Sequence, residues 1–236
     1  MEECMNIIVF GSEGKMGRVT AELIQNSAHT LAAKVDTLGG DGVYRSIFDC
    51  NTAADAIIDF STHEATRELV GFLLGHIDLQ RTALVTAVTG RDHKETELIK
   101  LCSEKLPVFA SANMSLGAAL LDGLVETLAS KLPEADVEII ETHRKGKLDI
   151  PSGTALELAK TIGEARVRGG NTIIHSLRLG NTIGRHEVIF DDGLQTLTVS
   201  HSANSRTLFA SGAIAAAEFV FGKPPGLYTM RDLIGD

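Results

Sequence analysis

The sequence contains no run of about 18 apolar residues, the length a helix needs to cross a bilayer, which excludes a protein embedded through membrane helices. Its first residues, MEECMN, are acidic and lack the basic stretch and apolar core of a secretory signal, so none is expected. Cysteine is scarce. Cys4, Cys50 and Cys102 are odd in number, scattered and in no paired spacing. That argues against a disulfide framework or a zinc site, and it fits a reducing, cytoplasmic setting with no metal. Positive charge is short as well. The formal net charge is −9, whereas nonspecific nucleic-acid binding needs a basic face. Neither nucleic acid nor membrane is an expected partner. Repeats and low-complexity linkers are missing too. What remains is a chain of 236 residues, 44% of them apolar, which suffices for one large domain or two modest ones with cores of their own.

The first half alternates short apolar runs with segments of helical spacing. Strands are predicted at Asn6–Phe10, Thr30–Asp36, Ala56–Phe60, Ala83–Thr86 and Val108–Ser111. Between them lie helices at Lys15–Asn26, at His63–Gly75 behind a Thr62 cap, and from the Asp92 cap to Lys105, with Pro107 as terminator. Strand–helix alternation with near-continuous apolar strands implies a parallel sheet covered on both faces. The second half changes character. Helices are predicted at Leu116–Lys131 and Ser152–Glu164, with strands at Val137–Glu141, Ile173–Leu179, Glu187–Phe190 and Gln195–Val199. Gly- and Asp-containing turns between the last strands suggest an antiparallel or mixed sheet. An alanine-rich helix at Thr207–Phe221 closes the pattern and returns to the first half. The expected fold is α/β: a Rossmann-type parallel-sheet domain over 1–112 and 207–236, and a smaller α+β domain for substrate binding and oligomerisation over 113–206.

Gly11-Ser12-Glu13-Gly14-Lys15-Met16-Gly17 lies directly between the first strand and the first helix. Gly11 can make the tight turn, Gly14 lets backbone approach a ligand, and Gly17 lets helix pack on strand. The helix N-terminus offers N–H groups and positive potential to a pyrophosphate. The spacing is G-x-x-G-x-x-G, a variant of the usual dinucleotide fingerprint. Asp36 ends the second strand about 20 residues on, where a carboxylate accepts from an adenosine ribose. An acidic residue there repels a 2′-phosphate, which favours NADH. Lys15 keeps NADPH open.

A second motif runs Glu141-Thr142-His143-Arg144-Lys145-Gly146-Lys147, then Asp149-Ile150-Pro151-Ser152-Gly153-Thr154. A charge run is usually a solvated face. This one follows the apolar run VEII, so a sheet end holds it, and it leads straight into a helix start near Pro151. Backbone N–H groups at Ser152, Gly153 and Thr154 together with three fixed cations make a site for carboxylates. Arg144 can grip a carboxylate with two parallel hydrogen bonds. His143 titrates near neutral pH and is the natural acid, and a partly desolvated Lys147 is an alternative proton donor.

On these residues the string EIIETHRKGKLDIPSGTAL (Glu138–Leu156) resembles the signature of the dihydrodipicolinate reductase family. GSEGKMGR (Gly11–Arg18), IDFS (Ile58–Ser61), Thr89-Gly90, ANMS (Ala112–Ser115), Ser176–Phe190 and Ser205–Ala213 are similar to further family segments, in order and over nearly the whole chain. The resemblance implies a Rossmann domain plus a substrate domain whose sheet builds a homotetramer. It implies transfer of a hydride from NADH or NADPH to a small cyclic dicarboxylate in lysine and diaminopimelate synthesis. His143 and Lys147 then match the family's catalytic residues. Ser152, Gly153 and Thr154 match its carboxylate-binding turn, and Thr89 matches a threonine facing substrate and cofactor. Gly11, Ser12, Glu13, Gly14, Lys15, Met16 and Asp36 match the nucleotide contacts. Ala87, Val88 and Thr89, with Ser111, Ala112, Asn113 and Met114, match loops flanking the nicotinamide.

The chain departs from the pattern in places. Arg144 stands where the family has a second substrate-binding His, and Ala87-Val88 replaces Gly-Thr. Ile150 replaces Ala, and the stretch between Asp36 and Asp55 is short. Two rival readings compete. A semialdehyde dehydrogenase needs a cysteine nucleophile at an activated position, and none lies in the basic cluster. A nucleotide sensor without catalysis would have no need of His143 and Lys147 beside a carboxylate cradle.

Overall fold

The computed structural model describes residues 4–76, 82–166 and 172–235; the ends of the expected domain ranges, 1–3 and 236, lie outside them. Two compact units result: Met1–Met114 with Thr207–Gly235, and Ser115–Arg206.

Unit 1 is a seven-stranded parallel sheet. Its strands are β1 (Asn6–Phe10), β2 (Thr30–Val35), β3 (Val43–Tyr44), β4 (Ala56–Asp59), β5 (Ala83–Thr86), β6 (Pro107–Ala110) and a late edge strand from the C-terminal segment, Gly226–Tyr228. The spatial order is edge strand, β6, β5, β4, β1, β2, β3. Order reverses between β1 and β4, and in such sheets ligands bind beyond the strand ends at that crevice. β4 and β5 are buried at every position, as strands covered on both faces must be. The helices are α1 (Lys15–Gln25), α2 (His63–Gly75) and α3 (His93–Ser103), with a 3₁₀ turn at Ile47–Asp49. Thr62 and Asp92 cap α2 and α3 by accepting from Ala65 N and Glu95 N.

One expectation is corrected, and three short elements were not expected at all. Pro107 does not end the helix. α3 stops at Ser103, and Pro107 opens β6, the strand position where a missing N–H costs least. The short strands at Val43–Tyr44 and Gly226–Tyr228 and the last helix, Met230–Ile234, carry too few residues to show a period.

Unit 2 starts with α4 (Leu116–Lys131). It holds a four-stranded mixed sheet of β7 (Asp136–His143), β8 (Ile173–Arg178), β9 (Gly184–Asp191) and β10 (Thr196–Ala203), in the order β10, β9, β7, β8. Only the β7–β8 pair is parallel, and α5 (Gly153–Ala165) lies between those two strands in the chain. The core joins Leu121 and Val125 of α4, Leu158 and Ile162 of α5, and Val137, Ile139, Val188 and Phe190 of the sheet. Chain order continues with α6 (Thr207–Val220), β11 (Gly226–Tyr228) and α7 (Met230–Ile234), all of unit 1.

α6 packs on α1 and on the parallel sheet. A Cβ at Gly212 would fall 1.7 Å from the Met114 carbonyl oxygen, backbone that no rotamer change can move. By contrast Gly71, on the exposed side of α2, has open space around it. Gly212→Ala should therefore destabilise the protein by about 1–3 kcal/mol or more. Gly71→Ala should stabilise it by about 0.4–1 kcal/mol. Urea unfolding midpoints of the two variants check both signs.

Candidate active site

The glycine loop of unit 1 is shaped by contacts that exclude side chains. Gly11 has φ +78°, and a Cβ there would lie 2.7 Å from the backbone of Ser61. At Gly17 a Cβ would fall 2.0 Å from the Gly11 carbonyl oxygen, so α1 closes on its own entry turn only with glycine at both ends. Gly14 is the N-cap of α1, and no side chain caps that helix. Its first backbone N–H groups are left for another acceptor. The Ser12 hydroxyl is buried without a hydrogen-bond partner. An uncapped helix start, an unsatisfied buried hydroxyl and room for close backbone approach fit a dinucleotide pyrophosphate.

Asp36 follows β2. Its Oδ2 accepts from Glu13 N at 2.9 Å and its Oδ1 from Leu38 N at 2.9 Å. The carboxylate thus ties the glycine loop to the end of β2 and keeps a second lone pair on each oxygen for a ribose. A cleft of about 280 Å³ opens beside it, lined by Gly11, Glu13, Asp36, Leu38, Arg45 and Ser61 among others. Sequence reasoning missed Arg45, because it lies nine residues beyond Asp36 and the β3 turn brings it back. Asp59 at the end of β4 is wholly buried. Burial raises its pKa, and hydrogen bonds from Ser61, Thr66 and Thr86 oppose that. One carboxylate therefore joins β4, the loop facing Gly11, α2 and β5.

Of the other expected cofactor residues, Lys15 and Thr89 are exposed, Met16 is half-buried, and Ala87, Val88 and Met114 are buried. Ser111 Oγ donates to the Asn113 carbonyl at 2.8 Å and accepts from Asn113 N at 3.2 Å, which folds the 111–114 loop, including exposed Ala112, on itself.

In unit 2 the phase of β7 decides the site. Val137 and Ile139 point into the core, so Glu141 and His143 follow them onto the same buried face. Register then sets the neighbours. Ser176 on β8 and His186 on β9 pair with Glu141, and Arg178 pairs with His143. Glu141 is fully buried. Its Oε2 takes a hydrogen bond from His143 Nδ1, and Arg178 Nη2 stands 2.9 Å from Oε1. Burial pushes its pKa up, but Arg178, Ser176 and His143 overcome this and hold it at about 2. The His143 ring meets the His186 ring edge-on at 5.3 Å. Burial holds His143 below the ordinary histidine value, with Lys147 and Arg178 acting in the same sense and Glu141 opposing.

Lys147 Nζ pairs with Asp149 at 2.8 Å. Arg144 is exposed, its guanidinium filling the space where a Gly146 side chain would be. Ser152 is the N-cap of α5. Its hydroxyl accepts from Ala155 N and lies 3.1 Å from His186 Nε2. The helix thus starts at Gly153, and Pro151 precedes the cap rather than occupying the first helical position. Beside Gly153 there is open space, and Thr154 follows it in the first turn of the helix. The structure therefore brings Glu141, His143, Ser152, Arg178 and His186 together. Arg178 and His186 were not singled out from sequence. His186 falls just before the expected strand Glu187–Phe190, and cross-strand register is invisible in one sequence.

Among the described residues, no group of three or more His, Cys, Asp or Glu could hold a metal ion, and no helix is long and apolar enough to cross a membrane. Cys102 is wholly buried, and burial pushes its thiol up to about 12, the wrong direction for a nucleophile.

A Rossmann-type sheet with a nucleotide-shaped glycine loop, joined to a unit bearing a histidine–carboxylate cluster, defines an oxidoreductase that uses a nicotinamide cofactor. Comparison with known proteins narrows the class. Residues 5–114 match "Dihydrodipicolinate reductase, N-terminus" and residues 117–234 match "Dihydrodipicolinate reductase, C-terminus". The chain belongs to the dihydrodipicolinate reductase family. It is 39% identical to the 4-hydroxy-tetrahydrodipicolinate reductase of Caldanaerobacter subterraneus subsp. tengcongensis, covering 98% of each chain. It is 37% identical to the enzyme of that name from Caulobacter vibrioides, covering 100% of this chain and 99% of the other. Its fold matches dipicolinate-bound dihydrodipicolinate reductase from Paenisporosarcina sp. TG-14 with a TM-score of 0.82 at 23% identity, over 98% and 100% of the two chains.

Burial first, then the nearby His143, holds His186 down at about 4. The unfolded chain, with an ordinary histidine value near 6.5, binds more protons than the folded one between those limits. Stability must therefore rise with pH from about 4 to 6.5 and be lost as pH falls through that window, by up to about 3 kcal/mol for this group. His143 and His201, also held low by burial, act in the same direction. Urea unfolding at pH 5 and pH 7 should show the difference, and His186→Gln should shrink it.

Proposed function

We propose that the chain is a 4-hydroxy-tetrahydrodipicolinate reductase. It reduces the cyclic dicarboxylate intermediate of lysine and diaminopimelate synthesis to tetrahydrodipicolinate with NADH or NADPH. The observation that carries this reading is the His143–Lys147 cluster leading into the α5 N-terminus, in a chain that matches the family over nearly its whole length.

When bound, the reduced nicotinamide supplies a hydride to the substrate and leaves oxidised. Gly11, Ser12, Glu13, Gly14, Lys15 and Met16 form the pyrophosphate side; the N–H groups of the first four already bond to Val35, Asp36 and Gly11, so the donors are the Ser12 hydroxyl and the α1 N-terminus at Lys15 and Met16. Asp36 accepts from the ribose. Ala87, Val88 and Thr89, with Ser111, Ala112, Asn113 and Met114, border the nicotinamide. Asp36 makes NADH the better cofactor, and Arg45 on the same cleft supplies the positive charge that admits NADPH.

Arg144, Ser152, Gly153 and Thr154 bind the carboxylates, and Thr89 contacts substrate. His143 or Lys147 delivers one proton; the hydride takes the place of the 4-hydroxyl, which leaves with that proton as water, and solvent restores the donor. At rest His143 sits below its ordinary pKa. A bound dianion favours the imidazolium, so substrate itself charges the acid. The chain assembles as a homotetramer through the mixed sheet; the exposed Ile173 and Leu177 on the face of β8 turned away from the core support this, and light scattering would measure it. Free thiols at Cys4, Cys50 and Cys102 accord with a cytoplasmic setting.

The test is a coupled assay in which fresh synthase product is added and nicotinamide absorbance is followed with each cofactor. Turnover with both is expected, with the higher kcat/KM for NADH. A folded, NADH-binding protein that turns over neither would sink the assignment. Lys147→Met should lower kcat by about 10²-fold or more while NADH binding is kept.

A further inference from the structure

We propose that Glu141, braced by Arg178, is the positioning residue of the proton donor: it fixes the Nδ1 proton of His143 and leaves Nε2 as the ring atom that exchanges protons. This rests on the reading of His143 as an acid in the reductase.

The geometry carries the inference in three steps. An isolated carboxylate at a fully buried position would take up a proton rather than stay charged. Glu141 has two cationic or polar partners on its two oxygens, Arg178 Nη2 at 2.9 Å and His143 Nδ1, and so stays ionised. An ionised carboxylate only accepts. Nδ1 must then carry hydrogen in both charge states of the ring, and Nε2 alone gains or loses the proton.

The space around the ring points the same way. A Cβ at Gly184 would come within 3.1 Å of His143 Nε2, so glycine keeps that edge of the ring open. Arg178 is anchored independently. It donates to the Leu177 carbonyl at 2.8 Å and to the Asp149 carbonyl at 2.7 Å. Asp149 pairs in turn with Lys147. One guanidinium thereby braces Glu141 and holds the loop that bears the second candidate donor.

The groups facing His143 are Glu141 on β7, Arg178 on β8, His186 on β9, and Lys147 with Asp149 on the following loop. All the others besides Glu141 and Asp149 are cationic or become so on protonation. Glu141 is thus the nearest charge that stabilises the imidazolium. Loss of that charge lowers the His143 pKa. An acid works in its protonated form, so the alkaline limb of the pH profile must move to lower pH.

The experiment has two arms. In the intact protein, ¹⁵N NMR of the labelled imidazoles should show His143 as the Nδ1–H tautomer when neutral. A neutral His143 protonated at Nε2 would overturn the proposal, whatever the protein turns over. In the assay, Glu141→Gln should cost about 10²-fold in kcat, leave KM for NADH near normal, and move the alkaline limb downward. Glu141→Asp, which restores the charge, should recover part of both. A folded Glu141→Gln variant with kcat within about threefold of the parent and an unmoved profile would refute it. Failure of the parent to reduce the dicarboxylate would strike the reductase reading and leave the NMR arm to decide on the brace.

Discussion

A strand that buries every second residue has no choice about where its polar side chains go once the phase is set. β7 commits Val137 and Ile139 to the core, and the same alternation carries Glu141 and His143 inward two steps later. A buried carboxylate must be paired, and β8 supplies Arg178 and Ser176 as partners while His186 of β9 stands opposite in register and reaches Ser152 instead. From that pairing follow the charge of Glu141, the hydrogen on His143 Nδ1, the anchoring of the Lys147 loop through Asp149, and the seat of the α5 cap through His186 and Ser152.

The two units handle helix N-termini in opposite ways. α1 begins at a glycine without a side-chain cap and beside an unsatisfied buried hydroxyl, so its terminal N–H groups wait for an acceptor. α5 begins at Ser152, whose hydroxyl already serves Ala155 N and meets His186. The first arrangement suits a tightly held phosphate. The second leaves the turn at Gly153 open while keeping the helix capped, which suits a smaller anion bound and released in each turnover.

Much of this was legible in the sequence where period and punctuation agree. The helices His63–Gly75 and Leu116–Lys131 and the strand Ala83–Thr86 fall where the apolar pattern and caps put them. β9 and β10 extend beyond their predicted ends, because Gly184, Arg185 and His186, and Ser200 through Ala203, have no strand-like composition and are held by pairing alone. His186 was lost to sequence reasoning for that reason. Arg178 lay inside a predicted strand, but nothing local says which residue stands across the sheet. Arg45 reaches the Asp36 cleft through a two-residue strand too short to show a period. Local chemistry can be read residue by residue, whereas register and long-range return are properties of the folded sheet.

The parallel sheet is built from both ends of the chain. Its edge strand and the helix packed on α1 come from residues after 207. During synthesis the glycine loop, Asp36 and the buried Asp59 leave the ribosome early. The helix that covers their sheet emerges only after the whole of unit 2, at about 5–20 residues per second. Until then the apolar face destined for α6 stays uncovered. The order of genetic information thus makes unit 2 the first unit whose complete sequence is available to fold, and gives the nucleotide unit a waiting time of seconds in which nascent-chain chaperones have a surface to hold.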